Sequence, residues 1–183
     1  LGASKGLTSG AGLTAPMGVA VILPALGAAR RTARVMQTTT QARQIAMANF
    51  VYATENKGAY ADDLAKLEEY IGDPEMLISP QSIRAKAFPA NFEDQPDTKR
   101  AKQIRQNSSF VLVPLGDQDQ VQNPSDAVML FERPDDTDAF ELVVAMADGS
   151  SFKMPEDELD EALRKQTGQS IQQLIQRQEG FGQ

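Results

Sequence analysis

The stretch Met17–Tyr60, MGVAVILPALGAARRTARVMQTTTQARQIAMANFVYATENKGAY, decides the fold. It is apolar up to Ala29, then arginine-studded and amphipathic. From Ala25 to Asn56 there is no proline and only one glycine, Gly27, so nothing stops a helix of about 30 residues. Ala42, Ile45, Ala46, Asn49, Tyr52 and Ala53 share one side at helical spacing. Met36, Met47, Phe50 and Val51 widen the apolar surface. Asn56-Lys57-Gly58 ends the helix, because glycine accepts the left-handed conformation found just past a helix terminus. Such a length predicts a protruding spine that leaves a membrane or a bundle and then packs on a soluble head.

Towards the N-terminus, Leu13 to Ala29 is a run of seventeen residues without a charge. That is the lower edge of the ~17–25 residues that span a bilayer. Pro16, Pro24, Gly12, Gly18 and Gly27 weaken it as a helix. Three readings stay open: a membrane span, a clipped membrane segment, or a soluble arm. Val19, Val21, Ile22, Leu23, Leu26, Arg30, Arg31 and Arg34 form the candidate membrane or assembly helix. Its arginines suit lipid head groups or a solvated face equally well. The chain opens on Leu1, not Met, which reads as a processed form or an excerpt. The expected organisation is a flexible arm (1–15), a stalk helix (16–57) and a globular head with a C-terminal helix (58–183).

Within the head, Ala61–Ile71 reads as a short amphipathic helix with Leu64, Leu67, Tyr70 and Ile71 inward and Asp62 as cap. Residues 79–107 carry three prolines and many charges and read mostly as loop. Three apolar runs bounded by turn residues, Ser109–Val113, Val128–Glu132 and Leu142–Met146, are expected strands. Asp148-Gly149 marks a hairpin leading to Ser151–Lys153. An α+β fold follows, with three or four antiparallel strands packed on the spine helix. Glu156–Lys165 reads as a helix with acids first and Arg164-Lys165 last, as the helix dipole favours. Ser170–Arg177 suggests a further turn or two, and the Gln-rich tail reads as mobile.

Composition excludes much chemistry. There is no Cys and no His, so a Ser-His-Asp triad, a His-Cys zinc site and an HExxH site are impossible. Residues 1–58 hold six Lys/Arg and one acid; residues 59–183 hold twelve Lys/Arg and twenty-four acids. An acidic head argues against nucleic-acid binding, which needs clustered positive charge. Asp135, Asp136 and Asp138, with Glu132 just before them, are the one weak Ca²⁺ candidate, although their spacing is not that of an EF-hand. Asp117 and Asp119 are weaker still. The acids of Glu156–Glu161 are explained by the dipole rather than by catalysis. No catalytic residue and no cofactor is expected.

The order of motifs now matters: ILPAL (Ile22–Leu26), ARRTAR (Ala29–Arg34), QARQIAMANFVYATENKGAY (Gln41–Tyr60), IGDPEMLISP (Ile71–Pro80), SSFVL (Ser108–Leu112), AVMLFERP (Ala127–Pro134) and VVAMADGSSFKM (Val143–Met154). This series, over roughly residues 19–155, resembles bacterial prepilin-like proteins of the type II secretion pseudopilin class. The nearest branch has an LLPAL-x-x-A-R-x-x-A opening and a late F-A-D-G-H hairpin. The resemblance implies a long N-terminal helix, half in the inner membrane or a filament core, and a small antiparallel sheet in the periplasm. It implies a structural, non-enzymatic role, with self or other pilin-like subunits as partners through the helix. The chain departs from that pattern in several ways. Nothing in residues 1–20 matches the family's processing site, and the first acid in the chain is Glu55. Ser150 stands where the branch often has His, and the branch's cysteines are absent. The calcium loop of the major pseudopilins has no clear counterpart. The alternative is a soluble or membrane-tethered binding module that uses the sheet and the 79–107 loop without polymerising. A hydrolase working through the Asp-rich loops is a distant third.

Overall fold

Helix α1 (Met17–Glu55) runs through both Pro24 and Gly27. An interior proline removes a backbone donor and crowds the carbonyl four residues back, at a cost of about 3 kcal/mol, so the helix is set by the amphipathic stretch that follows. The computed structural model describes residues 17–84, 87–137 and 139–180, with side chains from Ala25 onward. Contacts divide the chain into two units, 1–32 and 33–183. In the first, α1 is described from Met17, and residues 25–32 are all exposed. Val19, Val21, Ile22 and Leu23 lie outside the described side chains.

In the second unit α1 buries Thr38, Gln41, Ala42, Ile45, Ala46, Ala48, Asn49 and Ala53. This is the predicted inward side, with Tyr52 half-buried. The helix ends in a left-handed turn. Lys57 (φ 60°) and Gly58 (φ 89°) both take positive φ, and the Gly58 N–H donates to the Ala53 carbonyl at 2.8 Å. Asn49 then fixes the outgoing chain, its Oδ1 accepting from the Ala61 N–H at 2.8 Å.

Strands β1 (Phe110–Leu112), β2 (Val128–Glu132), β3 (Glu141–Met146) and β4 (Ser151–Pro155) form one antiparallel meander in chain order. Gly149 (φ 83°) makes the last turn, as predicted. Strand alternation sends Phe110, Leu112, Val143 and Ala145 into the core with α1. Val111, Phe131, Leu142 and Val144 go to the other face, against Leu159, Leu163, Leu174 and Ile175. The fold is therefore α+β as expected, with helices on both faces of the sheet. An irregularity between Val128 and Leu130 puts Met129 and Leu130 together in the α1 core, with Val128 and Phe131 opposite.

Three segments differ from the sequence reading. The described residues of 79–96 form no helix or strand, as read, but α3 (Asp97–Asn107) follows Pro96 and buries Ile104. Segment 61–71 is a 3₁₀ turn (Leu64–Leu67) joined to α2 (Glu68–Ile71). Its cap is Asp63, which accepts from the Ala65 N–H, while Asp62 pairs with Lys66 at 2.7 Å. After α4 (Glu156–Thr167), the turn or two expected over Ser170–Arg177 is a longer helix, α5 (Ile171–Gly180), which takes in the start of the Gln-rich tail and buries Ile171, Leu174, Ile175 and Gln178.

Two glutamines on these helices act as substitute backbone. The Gln178 amide donates to the Phe110 carbonyl at 3.0 Å and accepts from the Leu112 N–H at 3.1 Å, closing the outer edge of β1. Gln166 does the same for both backbone groups of Val128, at 2.9 Å each. Buried backbone polar groups need partners, and here side-chain amides supply them.

Candidate functional site

The outward face of α1 is the first candidate. Seven residues make nearly two turns, so Met36, Arg43 and Phe50 share a face with Thr40, Met47 and Thr54. Met36 is 65% exposed, Met47 52%, Phe50 47% and Val51 46%. The hydroxyls on this stripe are satisfied inside the helix, Thr40 donating to the Met36 carbonyl at 2.9 Å and Thr54 to that of Phe50 at 3.0 Å. The stripe is thus apolar, apart from Arg43; it is about half exposed, and the Met47 sulfur lies against the Gly149 hairpin of the same unit. Leu26, Arg30, Arg31 and Arg34 are also exposed, and among the described residues none of the three arginines forms an ion pair.

The acidic loop offered for Ca²⁺ is occupied by arginines and serine. Asp135 pairs with Arg133 at 3.1 Å and stands 3.8 Å from Arg84. Burial pushes the Asp135 carboxyl up, but the bond from Arg133 together with the charges of Arg133 and Arg84 outweighs this and holds it below the usual range. Asp136 is fully buried and accepts from the Ser82 hydroxyl and the Arg84 N–H. Asp138 lies outside the described residues. Among the described residues no group of three or more carboxylates converges as a cation site. Arg133 itself is 2% exposed and also binds Glu179 at 2.6 Å, tying α5 to the end of β2.

Glu132 is the most unusual titratable group. It is fully buried between α1 and the sheet. The Ser79 hydroxyl donates to its Oε1 at 2.8 Å and the Val143 N–H to its Oε2 at 3.3 Å. Ser79 in turn lies 2.9 Å from the Thr38 hydroxyl, which donates to the Arg34 carbonyl at 3.0 Å. Burial pushes the Glu132 pKa up, and the Ser79 and Val143 bonds only partly offset it. The half-buried Gln81 amide also donates to Thr38 at 3.4 Å and to Glu132 Oε1 at 3.5 Å, so the network links α1, the 79–82 turn and the sheet. The sequence reading noted Glu132 only as a neighbour of the aspartates; Thr38 and Ser79 carried no signal.

A groove of about 710 Å³ lies between the 114–127 loop and α4. Apolar Leu115, Val121 and Ala162 line it together with the charged Asp126, Glu158, Glu161 and Lys165. A second, about 590 Å³, lies beside Phe140, which is 95% exposed. Neither was visible in the sequence, because each joins segments distant along the chain. In the hairpin, the Asp148 carboxylate accepts from the Ser150 hydroxyl at 2.6 Å and its N–H at 2.8 Å, so Ser150 holds the turn.

Comparison with protein-family models, with curated proteins and with solved structures returned no match. Among the described residues, no helix is long and apolar enough to cross a membrane.

Proposed function

We propose that the chain is a structural, pilin-like subunit of a bacterial envelope assembly, non-enzymatic, which associates with copies of itself or related subunits through α1. The observation that carries this reading is the exposed stripe Met36, Met47, Phe50 and Val51 on the side of α1 turned away from its own core. A helix that keeps an apolar face in solvent has an unmade contact. An inner-membrane position with the head in the periplasm belongs to the same proposal and rests on the motif order and the apolar run before Arg30.

The magnitude of the stripe matters. Covering four half-exposed side chains yields roughly 1 kcal/mol each, about 4 kcal/mol together. Association costs about 4–15 kcal/mol in lost freedom and ordering. The stripe therefore contributes to assembly but needs a further contact beside it. Sedimentation of the full chain tests the reading. Met47→Asp with Phe50→Asp places charges on exposed positions and leaves the fold intact, as circular dichroism checks. The expected result is self-association weakened about tenfold, the equivalent of about 1.4 kcal/mol. Equal association of parent and variant would remove the stripe as the assembly face. A second reading, a binding module that does not polymerise, is favoured by the groove beside α4; a parent chain that stays monomeric at every concentration would support it.

A further inference from the structure

We propose that the outer edge of β4 pairs with the same edge of a second copy, antiparallel and about a two-fold axis at Phe152, so that the two sheets run on as one. This deepens the subunit reading above and rests on it: it supplies the further contact that the α1 stripe needs.

The two edges of the sheet are not equivalent. In the order β1-β2-β3-β4, β1 and β4 are the outer strands. Gln178 closes the edge of β1 with its side-chain amide. On the other side, the Met146 N–H donates to the Ser150 carbonyl at 2.9 Å, whereas the Val143 N–H points away from β4, to Glu132 on β2. Antiparallel bonds alternate along a strand, so Phe152 and Met154 bond to β3 while the backbone N–H and C=O of Ser151 and Lys153 point outward. Among the described residues, the further bonds of Ser151 and Lys153 are made by their side chains, to Thr39 and Glu141, and none reaches these backbone groups. An edge of this kind takes an added strand through main-chain bonds.

The limits of the strand select a copy of itself as that added strand. β4 runs from the hairpin turn at Gly149 to Pro155, which has no N–H to give. A second copy turned over carries the same limits in reverse, so Gly149 of one falls opposite Pro155 of the other and the ladder ends there on both. Within it each Ser151 faces the other copy's Lys153, giving about four backbone hydrogen bonds. Phe152 meets Phe152 of the second copy between them, in a non-hydrogen-bonded pair, where side chains come closest. Phe152 is 41% exposed in the single chain, and a cross-strand aromatic pair would cover it. Other registers are poorer. An axis at Lys153 opposes two lysines, which is destabilising. An axis at Ser151 sets Lys153 against Gly149, in the turn, and loses bonds at both ends. A lysine on an edge strand usually blunts it. Here Lys153 is held by Glu141 at 3.0 Å and faces Ser151, so its charge does not oppose the pairing.

The same hairpin carries α1. The Ser151 hydroxyl donates to the Thr39 carbonyl at 3.2 Å, and the Met47 sulfur stands 3.7 Å from where a side chain on Gly149 would begin. The axis is perpendicular to the sheet, so the α1 segments packed on it lie on one face of the joined sheet and both copies of α4 on the other. Strand pairing thus sets both stripes on one surface and adds directional bonds to an apolar contact that alone falls short of the cost of association. The contact is isologous and closes at two copies, which makes the pair the repeating unit of the assembly proposed above.

Substitutions at this edge of the full chain test the contact by sedimentation, with circular dichroism as the check on folding. Lys153→Pro removes an N–H that points outward and leaves the β3 ladder whole, a place where an edge strand accepts proline. It should weaken self-association about tenfold or more, whereas Lys153→Ala should stay within about threefold of the parent, because the backbone makes the contact. Phe152→Asp sets two carboxylates together on the axis and should weaken association as far; mixing it with Phe152→Lys should restore it. The chain has no cysteine, so a crosslink has one source. Phe152→Cys should form a disulfide with its own copy, since the Cα atoms of such a pair lie within disulfide reach. Phe140→Cys, at a residue 95% exposed but off the axis, should not. A parent that associates while Phe152→Asp and Lys153→Pro associate equally well overturns the proposal, as does a Phe152→Cys chain that crosslinks no faster than Phe140→Cys. If Met47→Asp/Phe50→Asp is then the one variant that fails to associate, the subunit reading through α1 stands without this contact. A parent that is monomeric at every concentration overturns both.

Discussion

Glu132 shows how one residue makes the packing of α1 pH-dependent. Its carboxyl is fully buried, and burial raises its folded-state pKa above the ordinary value of 4.5. The folded chain thus binds a proton here that the unfolded chain releases, and the contribution of Glu132 to stability is full below the unfolded pKa. It falls as pH rises from about 4.5 towards the folded value. In the neutral form the carboxyl can donate to Ser79, Ser79 to Thr38 and Thr38 to the Arg34 carbonyl, a chain of hydroxyls with one direction. Glu132→Gln keeps a donor for Ser79 and an acceptor for the Val143 N–H. We expect urea unfolding of this variant to lose the downward slope above pH 4.5 that the parent shows. A parent and variant with parallel pH profiles would place the ionised form in the fold. None of this was legible in the sequence. Glu132 lies 53 residues from Ser79, and its burial depends on where α1 crosses the sheet.

At the level of elements, long-range amides decide what periodicity leaves open. The strands and α1 were legible because their apolar residues repeat at period two or near 3.6 and their turns carry glycine. Helix α3 was not, since Ile104 is its one fully buried residue and the rest is charged or polar. Helix α5 was expected as a turn or two over Ser170–Arg177, and the i, i+3, i+4 spacing of Ile171, Leu174 and Ile175 carries it on to Gly180. A glutamine is part of the reason the helix stays: Gln178 closes the edge of β1. Gln178→Ala should cost about 2 kcal/mol in urea unfolding, because it strands the buried Leu112 N–H, while the Phe110 carbonyl keeps the Ser108 hydroxyl at 3.0 Å. Gln178→Glu should cost at least as much, by setting a carboxylate against the Phe110 carbonyl. Hydrogen exchange at Leu112 is the local readout, and faster exchange is expected in both. Unchanged exchange would mean that α5 shields β1 by coverage alone. The candidate assembly stripe was half legible: Met36, Met47, Phe50 and Val51 were recognised as apolar, but only the structure shows how far each stays exposed, with Met47 partly covered by the Gly149 hairpin.

The whole molecule has one core-bearing unit, and its beginning can be argued from burial. Residues 33–183 form the second unit, and the first fully buried residue on α1 is Thr38. Everything that fills the core between α1 and the sheet, from Ala42 and Ile45 to Val143 and Ala145, lies within that span. A chain of residues 33–183 should therefore fold alone and cooperatively, with a melting temperature within about 4 °C of the full chain, the shift expected for about 1 kcal/mol. A chain beginning at residue 54 should not. It would lack Ala42, Ile45, Ala46 and Ala53, and one face of the sheet would lie open with Leu112, Leu130 and Val143 in water. Burying such surface is worth about 25 cal/mol per Å², so its loss exceeds the ~5–15 kcal/mol margin by which domains of this size are stable only if most of that face is uncovered. The contrast makes the experiment decisive. Two truncations that both fold would show that the sheet holds without α1, and α1 would then be a tether rather than a wall of the core. Two that both fail would show that residues before Ala33 carry stability that the division into units does not reveal. Folding of the longer chain alone, by near-ultraviolet circular dichroism and a single sharp melt, places the boundary between helix arm and head in the turn of α1 that precedes Thr38.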